Sequence, residues 1–520
     1  MFNVYPLNYK RSLFWLIIVS ALIKIAIASI QGLGNVEAYY WTLATKLQWN
    51  YFDHPPMVAW LIRLTTANLL LHNELFVRLG AILSSSVCIW LMFKIGALLH
   101  SERAGWFAAL LYATSIYSGI NIAAFILPDS PQMVFWLSAL YILLKIIRVP
   151  TNDAKYVLYW CLFGTLSGLC IMSKVHGVFL WVGVLLYFLI YDNKRFNSPY
   201  VYLAFGITLF IISPIFIWNL QHDFITYKFH ASRVSIAGSG LDWKRFTKQL
   251  FQVIFATGPI HVFLIGMGIY LGIKNKLGMD KKSGQLILLC TLPLILIVLA
   301  ISVTSEILPH WPGPALSTLF ILPAIYMAGK PQNTFGKIPI VLRFAIAITL
   351  IIVTLQVLVT NYFPGALSAE KQDAKMGTGD VTLDMYGWQE AATKFDSLYK
   401  SDLAKKIMPA RAPLIITHWI PGAQIDYYIA HQTGQEVFGL GGIYDLHQFF
   451  LMNSDKTQLV KGDSAYYIVP SNLFTYKTLN KVTDSFKEYD YALIFSQNRS
   501  GFVCKKYYII RLKGYKGIAF

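Results

Sequence analysis

Five short segments of this chain combine acids, imidazoles and cations beside apolar stretches. They are GNVEAYYWTLATKLQWNYFDHPPMVAW (34–60), LPDSP (127–131), SKVHG (173–177), WNLQHD (218–223, followed by Lys228, His230 and Arg233) and EILPHWPG (306–313). Carboxylates can act as general bases or bind a divalent cation, and Lys and Arg can bind phosphate. Together these groups would suit a substrate that carries a phosphate on a lipid.

Each of these side chains also has a plainer structural interpretation. Asp129 could cap the helix that begins at the following Ser-Pro. Glu37 could be a first-turn acid favoured by the helix dipole. Asp53 could form an Asx turn, and Lys174 could extend its ammonium out of the membrane along an apolar surface. The sequence alone leaves both interpretations open for each residue.

The composition is typical of a membrane protein. Of the 520 residues, 56% are hydrophobic and only 13% are charged, against about 25% charged in soluble domains. The mean hydropathy is +0.51. The net charge of +18 fits basic residues that flank apolar spans, and no nucleic-acid-binding signature accompanies it. The five cysteines form no CxxC pair, which argues against a disulfide framework or a zinc knuckle.

Apolar stretches predict about eleven transmembrane helices. They lie near 12–30, 77–98, 105–120, 131–148, 157–172, 176–191, 200–218, 253–273, 284–302, 313–329 and 339–359. Short connections rich in Lys and Arg are predicted to be cytoplasmic. The opposite connections, at 31–76, 120–131, 173–176, 219–252 and 303–312, hold the five polar segments and are therefore predicted to be periplasmic.

The chain is predicted to contain two domains. Residues 1–361 form the transmembrane domain, with a first periplasmic loop at 31–76, and 362–520 form a periplasmic soluble α/β domain. Four apolar runs in the tail, APLIITHW, SAYYIVP, YALIFS and KKYYIIRL, are predicted to be buried strands. The helix that contains Tyr39, Tyr40 and Trp41 is too polar to span, and it is predicted to lie in the membrane interface with these rings as anchors.

The motifs EAYYW…WNYFDHPPMVAW, LPDSP, SKVHG, WNLQHD and LPHWPGPA resemble the bacterial branch of the dolichyl-phosphate-mannose–protein mannosyltransferase family, which includes the lipid A aminoarabinose transferases. The resemblance covers roughly residues 10–360. It implies a GT-C membrane glycosyltransferase (EC 2.4 class) in a bacterial inner membrane that works on the periplasmic side with inversion at the anomeric centre. Its partners would be a sugar on a polyprenyl phosphate and an acceptor such as lipid A, a glycan, a lipid or a protein. No nucleotide cofactor is implied.

The resemblance also assigns roles to residues. Glu37, Asp53 and Asp129 are the candidate catalytic acids. The turn Tyr51-Phe52-Asp53-His54-Pro55-Pro56 matches a family turn whose acid is linked to a metal and whose Tyr and Lys are linked to the lipid phosphate. His54 stands in place of that lysine, so it would act as a protonated imidazole or as a neutral N–H donor. The candidate groups for the lipid phosphate or substrate are Tyr51, His54, Lys174, His222, Arg233 and His310.

A divalent metal cation is a candidate cofactor, with Asp53, His222 and His310 as its candidate ligands. Sequence spacing alone does not support this set, because the three residues lie in separate loops.

One position departs from the family pattern. The family's Asp-Glu pair, whose Asp is the favoured general base, appears here as Val36-Glu37. Glu37 or Asp53 could serve as base instead, the protein could be an inactive glycolipid-binding relative, or the valine could be a chance or engineered substitution. A transporter of lipid-linked sugars is a further alternative. The absence of an internal repeat and the one-sided polar segments favour an enzyme over it.

Overall fold

A computed structural model describes residues 8–234, 240–330, 338–370, 372–456 and 458–517. Its contacts divide the chain into two compact units: one formed by 1–28 and 48–353, the other by 29–47 and 354–520. The division after residue 353 lies close to the predicted boundary at 361. Residues 29–47, predicted to be part of the membrane domain's first loop, instead pack with the C-terminal region.

Helices account for almost all of the regular structure up to residue 362. They are α1 (Tyr9–Ile30), α2 (Asn35–Thr45), α3 (Met57–Thr65), α4 (Glu74–Leu99), α5 (Glu102–Thr114), α6 (Ile122–Ala124), α7 (Asp129–Ile146), α8 (Ala154–Ser173), α9 (Val178–Tyr191), α10 (Pro199–Gln221), α11 (Ile225–Arg233), α12 (Trp243–Thr257), α13 (Pro259–Ile273), α14 (Lys281–Thr304), α15 (Gly313–Leu319), α16 (Ile321–Gly329) and α17 (Ile340–Tyr362). A π-helical turn at Ile116–Asn121 precedes α6, and 3-10 turns at Val175–Gly177 and Asn193–Asn197 flank α9.

The C-terminal region combines helices with a sheet. Its elements are α18 (Trp388–Ala404), β1 (Leu414–Ile416), α19 (Trp419–Gln424), a π-helical stretch (Ile425–Ala430), α20 (His431–Thr433), β2 (Val437–Gly439), α21 (Ile443–Leu446), α22 (Gln448–Met452), β3 (Ala465–Pro470), α23 (Tyr476–Asp484), β4 (Phe486–Arg499) and β5 (Phe502–Tyr515). Further 3-10 turns lie at Asp373–Lys375, Val381–Leu383, Asn453–Asp455 and Ser471–Leu473.

The first unit is a multi-pass helical membrane structure. Among the described residues, six helices are long and apolar enough to cross a membrane, or eight if two bent pairs each count as one span. The apolar stretches at Val175–Tyr191 and Gly313–Gly329 are shorter, so helix length and composition do not confirm the predicted count of eleven.

Two predicted single spans are broken. The stretch predicted at 105–120 bends by 73° between α5 and the π-helical turn, and the one at 253–273 bends by 96° between α12 and α13. The second break lies at Gly258, whose φ of +105° is open to glycine and costly for other residues. Pro259 then begins α13, where its missing N–H costs no helical hydrogen bond.

The second unit contains one mixed sheet with the strand order β2-β1-β3-β5-β4. Strands β2, β1 and β3 run parallel, and β5 pairs antiparallel with both β3 and β4. All four predicted strands are present, but YALIFS lies in β4 at the edge of the sheet. There Tyr491 is 45% and Ile494 51% exposed, so the prediction that this run is buried was wrong.

Helix α2 belongs to the interior of the second unit. Tyr39, Tyr40 and Trp41 are each less than 5% exposed, so the prediction that they are interfacial anchors was wrong. The Tyr39 ring lies 5.1 Å from the Trp419 ring, and the Trp41 ring 4.9 Å from that of Tyr427. The three aromatic residues of α2 are therefore core residues of a domain whose other members lie more than 300 positions later in the chain.

A buried ion pair ties the sheet to α18. Asp402 accepts hydrogen bonds from Arg511 Nε and Nη2 at 2.7 and 2.6 Å and from the Tyr466 hydroxyl at 2.7 Å. Arg511 Nη1 also reaches Asp490 at 2.8 Å. Both ends of the guanidinium are thus bound to carboxylates.

Candidate functional site

The first unit brings two of the predicted polar segments together through a buried ion pair. Asp129 is the first residue of α7, and Lys174 lies between α8 and the next 3-10 turn. Lys174 Nζ is 2.7 Å from Asp129 Oδ2, and both residues are buried. LPDSP and SKVHG, 45 positions apart, therefore form one centre.

Tyr117, which sequence reasoning missed, completes this centre. Its hydroxyl donates a 2.8 Å hydrogen bond to Asp129 Oδ1, so both oxygens of the carboxylate are engaged. The ring is seated against Gly313, where a Cβ would lie 2.2 Å from Tyr117 Cζ. Tyr117 occupies a π-helical turn, a feature often found at functional sites. The apolar segment IYSGIN gives no sign of such a turn.

The Asp53–His54 turn is a second centre in the same unit. Asp53 is buried, and its Oδ2 lies 3.8 Å from His54 Nε2. Helix α11 braces the turn: Thr226 Oγ1 donates to the Tyr51 carbonyl at 3.0 Å, and His230 Nε2 lies 3.0 Å from the Asp53 carbonyl. Because a carbonyl only accepts, Nε2 of His230 carries its hydrogen.

The candidate Tyr51 is buried in this turn. Its hydroxyl accepts a 3.1 Å hydrogen bond from the Gln48 N–H, and burial raises the pKa of the phenol. Tyr51 is therefore neutral and can act on a ligand only as a hydrogen-bonding group.

The imidazoles near these two centres are neutral at pH 7. Burial lowers the pKa of His54 to about 4, although Asp53 partly opposes this effect. Burial, together with the charge of Lys174, also lowers the pKa of His310 to about 4. Of the two roles considered for His54, the structure favours the neutral N–H donor. Among the predicted phosphate-binding residues, Lys174 and Arg233 have side chains that can supply positive charge to an anionic ligand.

Electrostatic effects between side chains also indicate which candidate residues lie near one another. Asp129 and Lys174 act electrostatically on both His54 and His310, and Arg233 acts on His310. We call Asp53, His54, Asp129, Lys174, Arg233 and His310 the charged cluster. It includes members from all five segments, because Arg233 follows WNLQHD at the end of α11 and His310 lies in EILPHWPG.

His222 is engaged elsewhere. Its ring stacks on Trp218 with 3.8 Å between centroids, and its Nδ1 lies 2.8 Å from the Trp218 carbonyl. Within the described ranges, no group of three or more His, Cys, Asp or Glu side chains could hold a metal ion. Asp53, His222 and His310 are thus not assembled as a set of three ligands, and the predicted divalent cation stays a prediction.

Glu37 lies in the second unit and has a structural contact. Its Oε2 accepts a 2.9 Å hydrogen bond from the Gly34 N–H at the start of α2, which agrees with its interpretation as a first-turn acid. Its predicted catalytic role stays a prediction. Val36 is 40% exposed.

Comparison with known proteins connects these features to a family. Residues 53–218 match the family model described as dolichyl-phosphate-mannose-protein mannosyltransferase, and this range holds Asp53, His54, Asp129 and Lys174. A lipid A galacturonosyltransferase, RgtD from Rhizobium johnstonii, is 23% identical over 276 residues. That alignment covers 53% of this chain and 56% of the relative, so it spans only about half the length of each protein.

Solved structures of similar fold span nearly the whole chain. The apo structure of ArnT from Cupriavidus metallidurans has a TM-score of 0.63 at 11% identity and covers 96% of this chain and 98% of its own. The structure of the same protein bound to undecaprenyl phosphate has a TM-score of 0.64 at 13% identity, with coverages of 95% and 97%. At such low identity these matches establish the fold alone, which is the predicted GT-C fold.

Proposed function

We propose that this membrane protein belongs to the GT-C mannosyltransferase family, in the branch that includes the lipid A transferases, and that it is a polyprenyl-phosphate-dependent glycosyltransferase. The family-model match and the galacturonosyltransferase relative support this proposal. The protein moves a sugar, with inversion, to a periplasmic acceptor such as lipid A, a glycan, a lipid or a protein. The site lies on the periplasmic side of a bacterial inner membrane. The observation that carries the proposal is the buried Asp129–Lys174 pair within the charged cluster.

Lys174 is proposed to hold the phosphate of the donor. Its ammonium has three N–H donors, and Asp129 is its one side-chain hydrogen-bond partner among the described residues. The remaining donors can reach a ligand, and a cation in a buried site acts strongly on the charge that develops on a departing phosphate. Arg233 supplies a second positive charge, and neutral His54 and His310 supply N–H donors.

Asp53 is proposed as the general base, and Asp129 as a positioning residue. Both Asp129 oxygens accept hydrogen bonds, which stabilise the ionised form and make it a weak base. Asp53 is the other predicted catalytic acid of this unit, and its Oδ2 lies 3.8 Å from Nε2 of the neutral His54. In the proposed step Asp53 takes the acceptor's hydroxyl proton, the oxygen bonds to the anomeric carbon, and the bond from that carbon to the donor's phosphate oxygen breaks. The polyprenyl phosphate leaves with its charge facing Lys174.

Glu37 stays an alternative base, because the family motif places the catalytic acid at that segment. Val36→Asp tests whether the base is missing at the family position. If the valine disables the base, the substitution raises turnover. Unchanged or lower turnover favours Glu37 or Asp53 as the base, and Glu37→Gln compared with Asp53→Asn then decides between these two carboxylates.

The decisive experiment uses the purified full-length protein with a panel of polyprenyl-phosphate sugars and lipid or glycan acceptors. We expect transfer that Asp53→Asn reduces by at least about 100-fold. Donor binding without transfer would identify a catalytically impaired glycolipid-binding relative. Movement of the intact lipid-linked sugar across vesicles, again without transfer, would identify a transporter. If neither transfer nor donor binding occurs, the proposal is wrong.

A further inference from the structure

A cavity of about 310 Å³ lies between α9, α13, α14 and α16. Its lining includes the polar or charged residues Asn275, Asp280, Lys281 and Gln285 and the apolar residues Ile273 and Leu322.

This cavity lies at the opposite end of α7 from the charged cluster. Asp129 begins α7, and Arg148, two residues past the end of that helix, binds Asp280 at 2.6 Å. The 18 residues of α7 span about 27 Å, close to the thickness of the hydrocarbon layer. The cavity also adjoins the start of the membrane-spanning helix α14, which places it at the depth of lipid headgroups. It is therefore separate from the proposed transferase site.

The surroundings of the cavity are strongly positive. Lys274, Lys276, Lys281 and Lys282 are exposed, and among the described residues none of them has a side-chain partner. The nearest acid, Asp280, is already bound to Arg148 and accepts a 2.8 Å hydrogen bond from the Ser283 N–H as the cap of α14. Because Arg148 and Asp280 cancel, four lysine charges are left, and the N-terminus of a 24-residue helix adds partial positive charge.

We propose that this cavity binds the headgroup of an anionic phospholipid. Lys281, with Asn275 and Gln285, supplies donors to the phosphate, and Ile273 and Leu322 pack against the glycerol and upper acyl carbons. Basic pockets between helices at headgroup depth suit such lipids.

The test measures binding of phosphatidylglycerol and phosphatidylcholine to the full-length protein in neutral detergent by native mass spectrometry. We expect a preference for phosphatidylglycerol, and Lys281→Gln weakens its binding about fivefold, the effect of one interfacial lysine. The matched control is Lys155→Gln, which removes an exposed lysine at the start of α8 and should leave binding within about twofold. Equal losses in the two variants would overturn the proposal, because they would show a diffuse surface attraction.

A second pair of variants tests the cavity without changing charge. A Cβ at Gly284 would lie 2.7 Å from Met279 Cε, and both residues line the cavity. Gly284→Leu therefore fills the space, and we expect it to reduce phosphatidylglycerol binding at least tenfold. The control is Gly266→Leu, which should leave phosphatidylglycerol binding unchanged. Nothing lies within 4 Å of a Cβ at that position.

Unchanged phosphatidylglycerol binding in Gly284→Leu would overturn the proposal. If this variant does not fold, the comparison of Lys281→Gln with Lys155→Gln decides the question. A last arm adds inorganic phosphate. Displacement of phosphatidylglycerol by phosphate at equal concentration would identify a free-phosphate site and overturn the assignment to a lipid.

Discussion

Each unit contains a buried aspartate bound to a cation and a tyrosine hydroxyl, yet the two centres differ in what the cation has left to offer. In the second unit Arg511 divides its donors between Asp402 and Asp490, so both ends of the guanidinium are held by protein. In the first unit Asp129 is the one side-chain hydrogen-bond partner of Lys174 among the described residues, and the ammonium has two further N–H donors. This difference favours the Lys174 pair over the Arg511 pair as the place where we propose that a ligand binds.

The largest effect is expected on stability, at the Asp402–Arg511 pair of the second unit. Asp402→Ala leaves Arg511 and Tyr466 without their shared partner, and we expect it to lower the free energy of unfolding by about 3–5 kcal/mol. Thermal unfolding of the purified protein measures this loss. The control is Asp396→Ala, because Asp396 pairs with Lys400 on the surface at 2.6 Å and should contribute at most about 1 kcal/mol. A similar loss in both variants would contradict a special role for the buried pair.

The next effect is on transfer. Lys174→Met removes the proposed phosphate ligand, and we expect transfer per folded protein to fall at least about 100-fold, or about 2.7 kcal/mol. Initial rates on the monodisperse fraction separate this loss from misfolding. Lys228→Met removes an exposed lysine of α11 and should retain activity. If Lys174→Met keeps its transfer activity, the Asp129–Lys174 and Asp402–Arg511 pairs do not differ in function.

The two tyrosines offer a matched and smaller test. Tyr117→Phe and Tyr466→Phe each remove one hydrogen bond to a buried carboxylate, worth about 1.5–3 kcal/mol. We expect Tyr466→Phe to lower the unfolding temperature without changing transfer by folded protein. Tyr117→Phe should lower the transfer rate about tenfold, because Lys174 is then less well positioned. The opposite pattern would reverse the roles assigned to the two centres.

The smallest effect is in acid. The pKa values of His54 and His310 fall from 6.5 to about 4 on folding, so the unfolded chain takes up protons first as the pH drops. Stability from these groups is complete above pH 6.5 and declines as the pH falls from about 6.5 to about 4. Unfolding temperatures across this range should decline less in the double variant His54→Gln/His310→Gln. An equally steep decline would show that other groups control acid stability.

Much of the first unit could be predicted from residue types. LPDSP and SKVHG marked Asp129 and Lys174 because ionised side chains are rare beside apolar spans, and the motifs indicated the family. Their direct pairing could not be predicted, since it depends on how α7 and α8 bring together residues that lie 45 positions apart. Tyr117 was missed for the same reason: nothing in IYSGIN distinguishes a tyrosine that faces a carboxylate from one that faces lipid.

The prediction failed most clearly at residues 34–47. Aromatic residues beside a membrane span suggested interfacial anchors, but this pattern does not distinguish an interface from the core of a remote domain. The Tyr39 ring meets Trp419, and Thr42 Oγ1 donates to Asp426 at 2.8 Å. Contacts between residues nearly 400 positions apart produce no periodic pattern in the local sequence. The helix itself was predicted correctly, but its partner was not.

The two-part construction of the second unit also has a consequence during synthesis. Residues 29–47 leave the ribosome about 300 residues before the rest of their unit, a delay of about 15–60 s at 5–20 residues per second. Throughout that time Tyr39, Tyr40 and Trp41 have no sheet or helix of their own unit to cover them. Biogenesis therefore has to keep this short aromatic helix from aggregating until its partners near Trp419 and Tyr427 have been synthesised.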